Sequence, residues 1–244
     1  MKIMSIKQKK ELYQVLVEKM GGRFSRQIGI NLDSGDSEEI FKWFLASILF
    51  GARISEGIAV KTYEEFIKEG LDSPQCLLDA GWDRLVQVLD AGGYVRYDFK
   101  TASKLLLIME ALVKRYKGDL NVLHQEARDQ KDLEQKIISL GKGIGRVTAN
   151  IFLRELRGVW SKAEPQAQGL AVMAAKRLGL IGEKDETELM NKLMDFFQRD
   201  HIKERRLADL ESSLVRLAKD YCRKTLCHRC PLSQYCSYYK LNIK

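Results

Sequence analysis

Apolar residues recur at three- and four-residue spacing along almost the whole chain, and only Pro74, Pro165 and Pro231 are available to interrupt it. That period is helical, and no stretch alternates with the two-residue period of a half-buried strand. The fold is predicted to be all-α. A length of 244 residues allows one large or two small domains, and 45% apolar content supplies a real core.

Several helices are legible with their ends. Ile6 to Met20 is amphipathic, with Leu12, Val15, Leu16 and Val17 inward, and Gly21-Gly22 ends it. Residues 23–37 read as a loop that closes on Asp36 as N-cap, with Glu39 three residues on in the capping-box position. The helix from Ser37 to Phe50 is apolar nearly all round and is predicted to be buried. Gly51-Ala52-Arg53-Ile54-Ser55 then forms a small-residue break that exposes an arginine. Helices follow at Lys61–Glu69, at a short segment opened by Ser73-Pro74, at Trp82–Leu89 and at Asp98–Tyr116. Leu120 to Gln130 reads as a looser connection, and later helices are predicted at Leu170–Leu178, Glu186–Phe197 and Glu204–Tyr221.

Between two apolar helical faces lies Leu140-Gly141-Lys142-Gly143-Ile144-Gly145-Arg146-Val147-Thr148. A glycine turn that opens a helix presents unpaired amide N–H groups at the positive end of the helix dipole. That is an anion site, and Arg146 adds a full charge beside it. Two helices joined this way read as a helix-hairpin-helix, which holds a nucleic-acid phosphate without reading sequence. The net charge of +8 and pI near 9.1 favour a polyanionic partner.

Four of the five cysteines, Cys222, Cys227, Cys230 and Cys236, fall within fifteen residues in a C-x4-C-x2-C-x5-C pattern. No apolar run reaches the ~18 residues of a membrane span. Met1 to Lys10 is basic but lacks an apolar stretch and a cleavage site. A reducing cytoplasm or nucleoid is expected, where clustered cysteines are metal ligands rather than disulfides. A thiolate tetrad so compact wraps one zinc or one iron–sulfur cluster. Zinc knuckles pair C-x2-C with a second such pair, so the uneven spacing here, with Pro231 following Cys230, favours iron–sulfur. His228, between these ligands, reads as solvent-facing or phosphate-contacting, and Cys76, alone on an apolar face, reads as a core thiol.

The hairpin, the loop around Pro165 and the C-terminal cysteine run, in that order, resemble the endonuclease III superfamily of DNA glycosylases. So do Ser47 to Arg53, Gly93-Tyr94-Val95-Arg96 and Arg177-Leu178-Gly179-Leu180. The resemblance implies two helical domains flanking a DNA-binding cleft. Residues 1–36 would hold an N-terminal helix packed with the cluster domain, residues 37–157 a six-helix barrel ending in the hairpin, and residues 158–244 the helical iron–sulfur domain. It implies a four-iron, four-sulfur cofactor and double-stranded DNA, damaged or mispaired, as the partner of a monomer. The hairpin residues Gly141, Gly143, Gly145, Arg146, Val147 and Thr148 would bind DNA, and Arg53 would fill the space left by a flipped base. Tyr94, Tyr97 and Trp160 are candidates to stack on a base, against the alternative of core packing. Arg223, Lys224 and Arg229 are candidates to face phosphates.

The sequence departs from the family twice. Members that also nick the strand carry a hairpin lysine that forms a Schiff base with the sugar, where this chain has Val147. Members also carry an aspartate at the end of the Gly/Pro loop, and no aspartate lies between Leu133 and Lys184. Counting forward from the hairpin puts that position at Pro165, beside Glu164; counting back from Arg177 puts it at Gln168. Glu164 keeps the charge, against the alternative of a solvated loop residue paired with Lys162, whereas Gln168 keeps only the shape. Two functions are expected on this basis. One is a monofunctional DNA glycosylase of base-excision repair, with Glu164 as its carboxylate. The other is a catalytically inactive relative that binds damaged, bent or structured DNA. A third, a cluster-bearing protein whose redox state tunes affinity, is kept behind these.

Overall fold

A computed structural model describes residues 6–182, 191, 193 and 207–242. The helix expected at Glu186–Phe197, apart from residues 191 and 193, and the start of the one expected from Glu204 lie outside the described residues. Among the described residues there is no β-strand, only a lone bridge between Arg157 and Trp160. The all-α reading holds. The chain divides into a central unit, Ile28–Pro165, and a terminal unit, Met1–Gln27 with Gln166–Lys244.

The central unit holds α3 (Ser37–Phe50), α4 (Glu56–Lys68), α5 (Pro74–Ala91), α6 (Asp98–Tyr116), α7 (Leu120–Glu126), α8 (Gln130–Ile138) and α9 (Arg146–Glu155). Helix α3 is its axis. Nine of its fourteen residues are buried, including Trp43, Phe44 and Leu45. Helix α5 is two segments broken at Gly81, whose φ of 71° and ψ of 179° no helix accommodates, so the two expected helices meet at a kink. Helix α6 has the expected limits.

Three local readings need correction. The Ser55 hydroxyl accepts a hydrogen bond from the Ile58 N–H at 3.2 Å, so α4 begins at Glu56, five residues before the expected start. The expected connection after Leu120 is helix α7, capped by Asp119, which accepts from the Asn121 N–H at 2.8 Å. Asp36 makes no side-chain cap. Glu39 instead accepts from the Asn31 N–H at 2.6 Å and pairs with Lys42 at 2.9 Å, so no capping box forms.

Helices α4 and α5 meet at a point where only glycine fits. A Cβ on Gly92 would lie 2.4 Å from the Thr62 Cα. Gly92→Ala is expected to cost about 1–3 kcal/mol through forced backbone shifts. Gly145→Ala, where a Cβ would meet nothing within 4 Å, is the matched control in denaturant unfolding.

The terminal unit holds α1 (Ile6–Met20), α2 (Phe24–Gln27), α10 (Gly169–Leu178), α11 (Leu207–Leu217) and α12 (Ser237–Asn242). Leu12 and Leu16 of α1 enter a core with Leu178, Leu210, Leu214 and Leu232, while Val15 and Val17 are half-buried at its edge. After Leu217 the helix widens into a π turn over Ala218–Cys222, closed by the Arg223 N–H donating to the Ala218 carbonyl at 2.8 Å. This delivers Cys222 to the cysteine loop.

Candidate nucleic-acid interface and cysteine centre

The three alternate glycines of the hairpin serve three different needs. A Cβ on Gly141 would lie 2.7 Å from Ile108 Cγ1, so this glycine lets the turn sit against α6. Gly143 has φ +114°, a conformation side chains avoid. Gly145 is the extended N-cap of α9, without a side-chain cap and with open space around it. The first N–H groups of α9 have no partner within the helix by position. Lys142, Gly143, Gly145, Arg146 and Val147 are exposed, and Thr148 is buried.

Thr148 ties this turn to the segment before α4. A Cβ on Gly51 would lie 2.3 Å from Thr148 Oγ1, so only glycine lets the Gly51–Arg53 turn lie against α9. The Trp43 indole N–H donates to the Phe152 carbonyl at 3.1 Å, and Phe44 meets the Phe152 ring edge-on at 5.2 Å. The hairpin is held by a packed core rather than by its own loop.

Beside it opens a cavity of about 800 Å³, counted out to its mouth, within the central unit. It brings together Arg53, Tyr94, Tyr97 and Gly143, which the sequence picked out separately, with Lys100 and Lys104, which it did not. The missed signal was the spacing: Lys100 and Lys104 are four residues apart and share one face of α6.

Trp160 is not part of this site. It is 3% exposed, stacks on His124 at 4.7 Å with the rings 3° from parallel, and donates to Asn121 Oδ1 at 2.8 Å. Burial, and then the Lys162 ammonium, push the His124 imidazole below its ordinary range, so a neutral ring stacks on the indole. Core packing is the role of Trp160.

Glu164 is half-exposed and pairs with Arg157 Nη1 at 2.6 Å. Arg157 also donates to the Pro165 carbonyl. The expected alternative partner, Lys162, donates to the His124 and Gln125 carbonyls at 2.8 and 3.3 Å, where an ammonium suits the end of α7. Gln168, in the terminal unit, is the extended N-cap residue of α10 and makes no side-chain cap.

In the terminal unit Cys222, Cys227, Cys230 and Cys236 line one small cavity with Arg177, and none is in a disulfide. Arg177 stacks on Tyr238 at 4.4 Å and donates to the Cys222 carbonyl at 2.5 Å. The Cys236 thiol donates to the Arg177 carbonyl at 3.3 Å. Burial lifts the Cys222 thiol to about 12 against the opposing pull of Arg177, and burial also raises Cys230 and Cys236. Among the described residues, no group of three or more His, Cys, Asp or Glu side chains is arranged to hold a single ion. Arg223, Lys224, His228 and Arg229 are exposed on this loop, and His228 meets Tyr239 edge-on at 5.5 Å. Cys76, in the central unit, is only partly buried.

An all-α chain with a glycine hairpin seated on a buried central helix is an endonuclease III-like protein in its fold. Comparison with known proteins agrees on the fold and finds two curated proteins of similar sequence. The chain is 25% identical over 218 residues to endonuclease III of Rickettsia felis, covering 87% of this chain and 92% of that protein. It is 24% identical over 196 residues to the "Putative DNA repair glycosylase" of Methanocaldococcus jannaschii, covering 78% and 84%. Among solved structures, a trapped endonuclease III–DNA covalent intermediate matches with TM-score 0.58 and 17% identity, over 99% of this chain and 100% of that one. No family model matches the sequence. No helix among the described residues is long and apolar enough to cross a membrane.

Proposed function

We propose that this protein is a monofunctional DNA glycosylase of base-excision repair, acting as a monomer on double-stranded DNA that carries a damaged or mispaired base. The observation that carries the reading is the hairpin: an open, exposed N-terminus of α9, flanked by Lys142 and Arg146 and braced through Thr148 against the turn that bears Arg53. Backbone amides there would hold a phosphate, and Arg53 would enter the stack where a nucleotide has left it.

Val147 lies at the position of the Schiff-base lysine and is 61% exposed, with no amine to attack the sugar. The remaining chemistry is hydrolysis of the glycosidic bond. A carboxylate would stabilise the cationic sugar and orient water, as in glycosidases. Glu164 is the only acidic residue between Leu156 and Gly182. Its half-exposed position leaves the carboxylate reachable, and Arg157 fixes its direction. To serve the sugar cation it must part from that guanidinium. The expected signature is cleavage of substrate duplex only after alkali, which breaks abasic sites that a lyase-deficient enzyme leaves. Nicking of the same duplex without alkali would contradict the monofunctional assignment.

The Arg157–Glu164 pair also favours a second reading, a protein that binds damaged or bent DNA and cuts nothing, because a neutralised carboxylate is a poor base.

The cysteine cavity fits a four-iron, four-sulfur cluster better than zinc. Three buried thiols and the half-buried Cys230 line one space, and their uneven C-x4-C-x2-C-x5-C spacing supports a cluster over a zinc knuckle. Cys222, Cys227, Cys230 and Cys236 would hold it, and it would supply a covalent cross-link between α11 and the loop. Protein purified without oxygen is expected to be brown and to contain iron and sulfide; colourless protein containing zinc would contradict this.

A further inference from the structure

We propose that a second cavity of the central unit, bounded by α3, α4 and the Ile28-Gly29 turn, takes a lysine side chain from a basic segment of a protein partner. The cavity holds about 680 Å³, counted out to its mouth, and shares no residue with the one beside the hairpin. It draws on neither DNA binding nor base removal.

A buried polar group at this site lacks a partner. Tyr63, on α4, is 4% exposed and lines the cavity, yet its hydroxyl makes no hydrogen bond among the described residues. A buried tyrosine ordinarily finds one, because an unmade hydrogen bond in the interior costs free energy. Burial first, then the Glu39 and Asp72 carboxylates, push the phenol above its ordinary range. The group therefore stays a neutral hydroxyl facing negative charge.

The sign of the surroundings selects the ligand. Both lysines of the wall are already matched: Lys42 Nζ lies 2.9 Å from Glu39, and Lys68 Nζ lies 3.0 Å from Glu65. Glu64, exposed at the rim, has no ion-pair partner among the described residues. A phenol oxygen and a free carboxylate are both acceptors, and an ammonium carries three donors and the opposite charge. Ile28 and Ile67, half-buried on the walls, give apolar surface to a methylene stem. An ammonium on such a stem is a lysine side chain. One free carboxylate and one hydroxyl match a single head group, whereas a polyamine would bring further ammonium groups with no carboxylate left to receive them. The whole chain carries +8, so a basic partner is repelled overall and is held where the local charge is negative.

The test is fluorescence anisotropy with full-length protein and a labelled peptide of lysines spaced by glycine, against the same peptide with every lysine acetylated. The charged peptide is expected to bind about tenfold more tightly than the acetylated one. Tyr63→Phe, which removes only the hydroxyl, is expected to weaken it about tenfold, the scale of one hydrogen bond to a charged group. Glu64→Gln, at an exposed position, is expected to do the same without touching the core. Glu110→Gln makes the same charge change on the exposed face of α6, outside the cavity, and is expected to stay within about twofold. Equal affinity for the two peptides overturns the proposal, as does a loss in Glu110→Gln that matches Glu64→Gln, or unchanged binding in both Tyr63→Phe and Glu64→Gln. Spermidine that displaces the peptide at a concentration below the peptide's own dissociation constant also overturns it, and makes a free polyamine the occupant. No DNA enters the readout, so failure of the glycosylase assignment would leave this site standing.

Discussion

Asp209→Ala is expected to destabilise the terminal unit by about 3–5 kcal/mol, the cost of removing one member of a buried ion pair. Asp209 is 1% exposed on α11. Its Oδ1 accepts from the Arg23 backbone N–H at 3.1 Å and lies 3.7 Å from Arg23 Nε, in a side chain only 2% exposed. Arg26 reaches the same oxygen at 3.5 Å from a half-exposed position. A Cβ on Gly22 would lie 2.5 Å from that oxygen, so the chain before α2 closes tightly over the carboxylate. Alanine takes the acceptor from the Arg23 N–H and one carboxylate from beside its buried guanidinium. Asp209→Asn keeps an acceptor for the N–H and is expected to lose less. Denaturant unfolding followed by circular dichroism reads both, and a loss under about 1 kcal/mol for alanine would mean water reaches Arg23 after all.

Gly143→Val is expected to weaken duplex binding about 10- to 100-fold at ~100 mM salt, whatever the sequence of the duplex. Valine does not adopt φ +114°, and a Cβ on Gly143 would already lie 3.0 Å from Lys104 Cδ. The turn must re-form, which takes the amides ahead of α9 out of line. The fold should survive, because the core contacts of α9 through Phe152 lie two turns away. Lys142→Ala is the comparison: it removes one charge, keeps the amides, and should lower the slope of log affinity against log salt by about 0.9. Unchanged affinity in Gly143→Val would show that the hairpin is not the phosphate grip.

What the sequence revealed was what a strong local signal dictates. Helix α3 and helix α6 have the predicted limits, because one is apolar all round and the other carries a long uninterrupted amphipathic pattern. Helix α7 went unread since seven residues with two buried leucines, Leu120 and Leu123, make too short a period to stand out. Competition explains the errors in capping and pairing. Glu39 has the Asn31 N–H and Lys42 within reach, and these draw it from the N-terminus of α3. Lys162 finds two carbonyls at the end of α7, which leaves Glu164 to Arg157, a residue with no distinguishing pattern in sequence. The hairpin and the cysteine run were legible as motifs. The cavity was not, because Arg53, Tyr94, Lys100 and Gly143 converge only once α3, α6 and the hairpin have packed.

The most direct test of the glycosylase assignment is base release under single turnover. Wild-type and Glu164→Gln protein would meet duplexes bearing uracil, a thymine mispair, an oxidised base or an alkylated purine, with binding measured in the same samples. Wild-type protein is expected to release one class of base, and Glu164→Gln to lower this rate by about 100-fold or more while binding is kept, the scale of losing one transition-state stabiliser. Tight binding by both proteins with no base released from any duplex would contradict it, and would identify a scaffold that grips DNA without cutting the glycosidic bond.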